Sequence, residues 1–163
     1  MRVFVDQDGP LAVWNENASI EETYMPGYFL NRTPALNTIE AVNQLVKEGT
    51  EVYLLSCVYD NGYAIQEKNQ WIDNNGLKID KAHRLFVPYG ENKSEWLKVY
   101  FGIEDTDILI DDFSKNLHEW HGIGVKFRNH CNGTHGTWYG YSVDYRQSPE
   151  EIYRTIKGLV ATA

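Results

Sequence analysis

Short apolar runs alternate along this chain with stretches whose apolar residues recur every three or four positions. Residues 2–6 (Arg-Val-Phe-Val-Asp) form a β-branched run ending in an acid, which is a strand signal. Over 37–48, Ile39, Val42, Leu45 and Val46 fall at helical spacing, and Gly49 marks the stop. Residues 51–56 read as a second strand. Residues 61–75 carry Tyr63, Ile65, Trp71 and Ile72 in a helix that ends before Gly76. A third strand is predicted over 84–87, then a helix from Asn92 to Tyr100 stopped by Gly102, then strands over 107–111 and 123–127. Ser148-Pro149-Glu150-Glu151 combines a hydroxyl cap, proline at the first helical position and glutamate at the third. It starts a terminal helix reaching about Leu159.

This β-α alternation predicts an α/β fold, a three-layer Rossmann-like parallel sheet with helices on both faces. With 163 residues, a single domain is expected. Segments 14–36 and 128–147 show no clear period. They are expected to be insertions, the first a minimal cap and the second a loop, ahead of the C-terminal helix over 148–160.

Composition narrows the partners. Lys+Arg 15 against Asp+Glu 23 gives a net charge of −8, which argues against duplex nucleic acid as a partner. No apolar run approaches the roughly 18 residues of a membrane span. Cys57 and Cys131 cannot make a disulfide framework. The first strand starts at once and leaves no room for a secretory signal, so a cytoplasmic location is expected. A homo-oligomer is compatible with all of this.

In open parallel sheets ligands bind beyond the carboxyl ends of the strands. Here strand one ends in Asp6-Gln7-Asp8-Gly9, strand two in Ser56-Cys57, and strand four in Asp111-Asp112, with Lys93 opening the helix after strand three. Alone, each piece has an ordinary structural use: a turn, a satisfied hydroxyl, a solvated lysine, a helix cap. Together they form a hard-oxygen site suited to Mg²⁺, with a hydroxyl and an ammonium to hold phosphoryl oxygens. One carboxylate can act as nucleophile while its neighbour protonates the leaving alkoxide.

The pattern resembles the haloacid dehalogenase-like (HAD) superfamily. More narrowly, it is similar to the 5'(3')-deoxyribonucleotidase group and its bacterial and phage relatives. Glu67-Lys68, Trp71-Ile72 and Leu109-Ile110-Asp111-Asp112 fit that group, and the likeness runs from residue 2 to about 128. It implies an HAD-type Mg²⁺-dependent phosphomonoesterase working through an aspartyl-phosphate, with a nucleoside monophosphate as substrate. Asp6 would be the nucleophile and Asp8 the general acid/base. Ser56, Cys57 and Lys93 would line the phosphate, although Cys57 also reads as a buried thiol. Asp6, Asp8 and Asp111 or Asp112 would hold the metal. Two departures stand out: the loop after strand one, with Gln7 between the aspartates and Pro10, which removes a backbone donor, after Gly9; and the cap, since residues 14–36 are too few for a large helical lid.

Trp14, Tyr28 and Phe29 lie where a cap would cover the substrate and could stack a base or pack the insertion. Another small phosphorylated metabolite or a nucleic-acid terminal phosphate is the alternative substrate. A different class also stays open: a non-catalytic HAD-like domain whose histidine loop (His118, His121, His130, Cys131, His135) binds metal or a partner.

Overall fold

The computed structural model describes residues 1–132 and 137–162. Six parallel strands form one sheet in the order β3-β2-β1-β4-β5-β6: Val3–Val5 (β1), Val52–Val58 (β2), Arg84–Pro88 (β3), Ile108–Asp111 (β4), Ile123–Arg128 (β5) and Tyr141–Asp144 (β6). The helices are Ile20–Thr23 (α1), Leu36–Lys47 (α2), Ala64–Asn74 (α3), Lys93–Tyr100 (α4), Ser114–His118 (α5) and Pro149–Thr162 (α6). This is the expected α/β architecture. Among the described residues, no helix is long and apolar enough to cross a membrane.

Period-two alternation sorts the strand side chains between two cores. Val3, Val5, Leu54, Ile108 and Ile110 turn toward α2, α3 and α6, where they meet Val42, Leu45, Trp71, Ile152 and Ile156. Phe4, Tyr53, Leu55 and Leu109 turn the other way, onto Leu97 of α4, Leu117 of α5 and Trp120. Full burial of each large aliphatic side chain contributes about 1.5–3 kcal/mol, so both faces are needed to hold the sheet.

The structure departs from the sequence reading in four places. Segment 128–147 is not all loop: it contains β6, which pairs with β5 in the register Val125↔Tyr141 to Arg128↔Asp144. Segment 14–36 contains the short α1, whose Ser19 and Glu22 form a capping box. In α3 the buried stripe is Ala64, Glu67, Lys68, Trp71 and Ile72, whereas Ile65 is exposed and Tyr63 is only the cap. Strand β2 also runs two residues past Ser56.

β1 lies between β2 and β4, with register Val5↔Leu54 on one side and Val5↔Ile110 on the other. Strand order reverses at the β1–β4 boundary. That boundary opens a crevice at the carboxyl ends of both strands.

Candidate active site

Alternation decides which acids meet. Asp6 follows β1 on the Phe4 side, and Asp111 ends β4 on the Leu109 side, so both point toward α4. Asp6 N–H also donates to the Ile110 carbonyl at 2.9 Å, which fixes the two strand ends together. Lys93, the first residue of α4, is buried there. Its Nζ lies 2.7 Å from Asp111 Oδ2 and 3.2 Å from Asp6 Oδ1. Burial opposes the charge on Lys93, but Asp111 and Asp6 outweigh it and raise its pKa, so the lysine stays an ammonium.

Asp6, Asp111 and Asp112 offer carboxylate oxygens within 4.8 Å of one another. Asp111 is fully engaged: Oδ1 accepts from Phe113 N–H at 2.8 Å, and Oδ2 accepts from Asn116 Nδ2 (2.9 Å) as well as Lys93. Asp112 Oδ2 accepts from Asn129 Nδ2 at 2.8 Å, and no donor among the described residues reaches its Oδ1. Burial, with Asp111 and Asp6 close by, pushes the Asp112 carboxyl well above the usual carboxylate range. Three acids face one lysine, so the cluster carries uncompensated negative charge.

The Asp8 carboxylate stands outside that trio. It pairs with Lys68, a fully buried residue of α3 whose Nζ also donates to Ser56 Oγ and the Cys57 carbonyl, both at 2.8 Å. Ser56 falls on the Leu54 side of β2, opposite the Asp6 side. The structure therefore joins Ser56 to Asp8 through Lys68 and does not set it beside Asp6. Cys57 falls on the Asp6 side, and burial pushes its thiol up to about 11. The sequence reading gave Lys68 no place in the site. The available signal was a lysine on the apolar stripe of α3, between Ala64 and Trp71-Ile72.

Gly9 shapes the loop between the acids. Its φ is +99°, and a Cβ there would sit 2.3 Å from Asp112 Cγ, so only glycine lets β1's loop pass this close to Asp112. The loop closes on itself through Leu11 and Ala12 N–H donating to Gln7 O (3.1 and 2.7 Å), a turn in which Pro10 supplies no donor. Gln7 itself is buried.

Above the acids opens a cavity of about 650 Å³. Trp14, Tyr28, Phe29, Tyr59 and Tyr89 contribute to its walls, with Asp6, Asp8, Cys57 and Asp112 among its lining residues. All three aromatic candidates from segment 14–36 are therefore at this cavity. The segment is tied down by Glu67 Oε1, which accepts from Gly27 N–H (2.5 Å), and by Trp71 Nε1, which donates to Arg32 O (2.7 Å). The histidines do not gather. His118 Nε2 meets Thr137 Oγ1 at 2.7 Å, His121 Nε2 meets Asp105 at 2.8 Å, and His135 lies outside the described residues.

A family model described as "5' nucleotidase, deoxy (Pyrimidine), cytosolic type C protein" matches residues 19–140. That span includes Ser56, Lys68, Lys93, Asp111 and Asp112 but not Asp6 or Asp8. No curated protein matches the chain significantly. Among solved structures, a putative HAD-like phosphatase from Mesorhizobium loti is similar with a TM-score of 0.65 at 12% identity, covering 97% of this chain and 86% of that one. The D,D-heptose 1,7-bisphosphate phosphatase from Burkholderia thailandensis is similar with a TM-score of 0.60 at 10% identity, covering 96% and 97%. At these identities the likeness concerns the fold.

Proposed function

Because the chain belongs to the family of 5' nucleotidase, deoxy (pyrimidine), cytosolic type C proteins, and with it to the phosphoric monoester hydrolases of the HAD superfamily, we propose that it is a Mg²⁺-dependent nucleotidase working through an aspartyl-phosphate. The observation that carries this reading is the trio Asp6, Asp111 and Asp112, joined by Lys93, with Asp6 and Asp112 lining an aromatic-walled cavity.

The donor set suits Mg²⁺: three carboxylates, oxygen only, with two negative charges in excess of what Lys93 answers. Asp6 and Asp112 would hold the ion directly, since Asp112 keeps an oxygen without a donor while both oxygens of Asp111 are occupied. When bound, the ion supplies charge neutralisation at the phosphoryl oxygens. Asp111 acts by orienting Lys93, whose ammonium faces the same oxygens.

In the first step a carboxylate oxygen of Asp6 forms a bond to phosphorus while the ester P–O bond breaks. Asp8 donates a proton to the departing alkoxide, which leaves as the alcohol. Asp8 then takes a proton from water as the water oxygen attacks phosphorus, which frees Asp6 and releases inorganic phosphate. Lys68 is a positioning residue that holds Asp8, and Ser56 acts through Lys68. Segment 14–36 serves as the cap, and Trp14, Tyr28 and Phe29 stack on a nucleobase; each such contact contributes roughly 1–3 kcal/mol.

Phosphate release from nucleoside monophosphates, sugar phosphates and a generic aryl phosphate tests this, with Mg²⁺ or with EDTA. Nucleoside monophosphates should turn over fastest, EDTA should stop the reaction, and Asp6→Asn should abolish it. Activity retained by Asp6→Asn sinks the mechanism, and a preference for sugar phosphates sinks the substrate assignment.

A further inference from the structure

Of the histidine loop, one pair does find company. His130 and Cys131 in the turn after β5 meet Glu16, 114 residues earlier in sequence, with an imidazole nitrogen, a sulfur and a carboxylate oxygen all within 4.8 Å of one another. No hydrogen bond or ion pair engages the Glu16 carboxylate or the His130 ring nitrogens among the described residues. The His130 ring only packs edge-on against Tyr145, with centroids 6.4 Å apart. His118 and His121 are engaged elsewhere, which separates this pair from its neighbours.

The turn that carries the two donors is built in advance. Asn129 Oδ1 accepts from the backbone N–H of Cys131 (3.1 Å) and of Asn132 (2.9 Å), and from the Cys131 thiol at 3.1 Å. Asn129 N–H donates back to Asn132 Oδ1 at 2.8 Å. Asn132 Nδ2 anchors the turn to the carbonyls of Asp112 and Phe127, at 2.8 and 3.2 Å. Ligand directions are therefore set by a hydrogen-bonded frame rather than by a free loop.

Sulfur, nitrogen and one carboxylate oxygen form a different donor set from the all-oxygen trio around Asp6. Thiolate and imidazole favour a borderline-soft ion over Mg²⁺, and three protein ligands leave a fourth tetrahedral position for water. We propose that Glu16, His130 and Cys131 bind a divalent ion of the Zn²⁺ class, separate from the acidic trio, at the rim of the cavity. Binding exchanges the Cys131 S–H bond for a sulfur–metal bond, and the proton leaves to solvent; nothing is oxidised or reduced. Trp14 and Cys131 both line the cavity, so the ion fastens the two sides of its mouth together.

The test uses the full chain, stripped with chelator and kept in excess Mg²⁺ to occupy hard-oxygen sites. One equivalent of Zn²⁺ should bind by calorimetry, and Cd²⁺ should raise a thiolate-to-metal charge-transfer band. Cys131→Ser should remove the band, whereas Cys57→Ser and Asp6→Asn should keep it. His130→Ala should weaken Zn²⁺ at least about tenfold, since even losing a hydrogen-bond partner behind a ligand costs that much. Melting curves of the metal-free variants establish that each is folded. Absence of the band in the wild type, its survival in Cys131→Ser, or unchanged affinity in His130→Ala overturns the proposal. Loss of phosphatase activity in the stripped, Mg²⁺-loaded wild type would bear on the catalytic reading alone, because the band is read without substrate.

Discussion

Two lysines, Lys68 and Lys93, are fully or almost fully buried, and each is answered by an aspartate at a strand end. A buried ammonium is costly unless paired and hydrogen-bonded. Lys68 meets that requirement with Asp8, Ser56 and the Cys57 carbonyl, and it also lies 4.7 Å from the Phe29 ring centroid. Lys68→Met should lower kcat about 100-fold, the low end of what loss of a general acid costs, and move KM less. If Lys68 acts only through Asp8, Lys68→Met added to Asp8→Asn should cost little more, which steady-state kinetics on the double variant will read. Asp107 makes a contrasting case. It is fully buried and far from the cavity, and it accepts from Arg2 N–H (3.0 Å), Arg2 Nε (3.1 Å) and Glu104 N–H (2.9 Å). Asp107→Asn leaves Arg2 without its carboxylate and should cost about 3 kcal/mol, measured as a lower denaturant midpoint, with kcat little changed. Asp6, Asp8 and Lys93 were legible in the sequence because strand ends collect chemistry. Lys68 was not, because a lysine in a helix is ordinarily solvated and its burial depends on which face α3 turns to the sheet.

At the level of elements, the periodic segments were readable and the aperiodic ones were not. The helix over 37–48 is found within one residue, because a full apolar stripe meets the sheet. In α3, Ile65 is exposed although it is one of the apolar residues of the segment, and the buried stripe includes Glu67 and Lys68, polar residues that are paired when buried and that hydropathy does not mark. β6 escaped notice because Tyr141-Ser-Val-Asp144 is an edge strand with one buried residue, Val143, and carries little apolar pattern. It is seated by a tertiary contact instead. Trp138 donates to the Tyr141 carbonyl at 2.9 Å and lies flat enough on β5 that a Cβ at Gly124 would fall 2.7 Å from its ring. Gly124→Ala should therefore destabilise the protein by about 1–3 kcal/mol through overpacking. Trp138→Leu in the same chain should recover part of that loss, as followed by urea denaturation.

For the whole molecule, a net charge of −8 is locally concentrated, since three acids converge on the crevice at the β1–β4 boundary. That convergence belongs to the topology. The parallel order places the first strand at the centre, between segments about 50 and 100 residues away in sequence. Such long-range pairing makes folding slow relative to local helix formation. A chain emerging from the ribosome presents Asp6 about 100 residues before Asp111. Until residues 107–112 are also outside the exit tunnel, that acid has no β4 beside it and no Asp112 to share its load. On the proposed mechanism, a nascent fragment ending before Asp111 lacks two of the three acids and should release no phosphate.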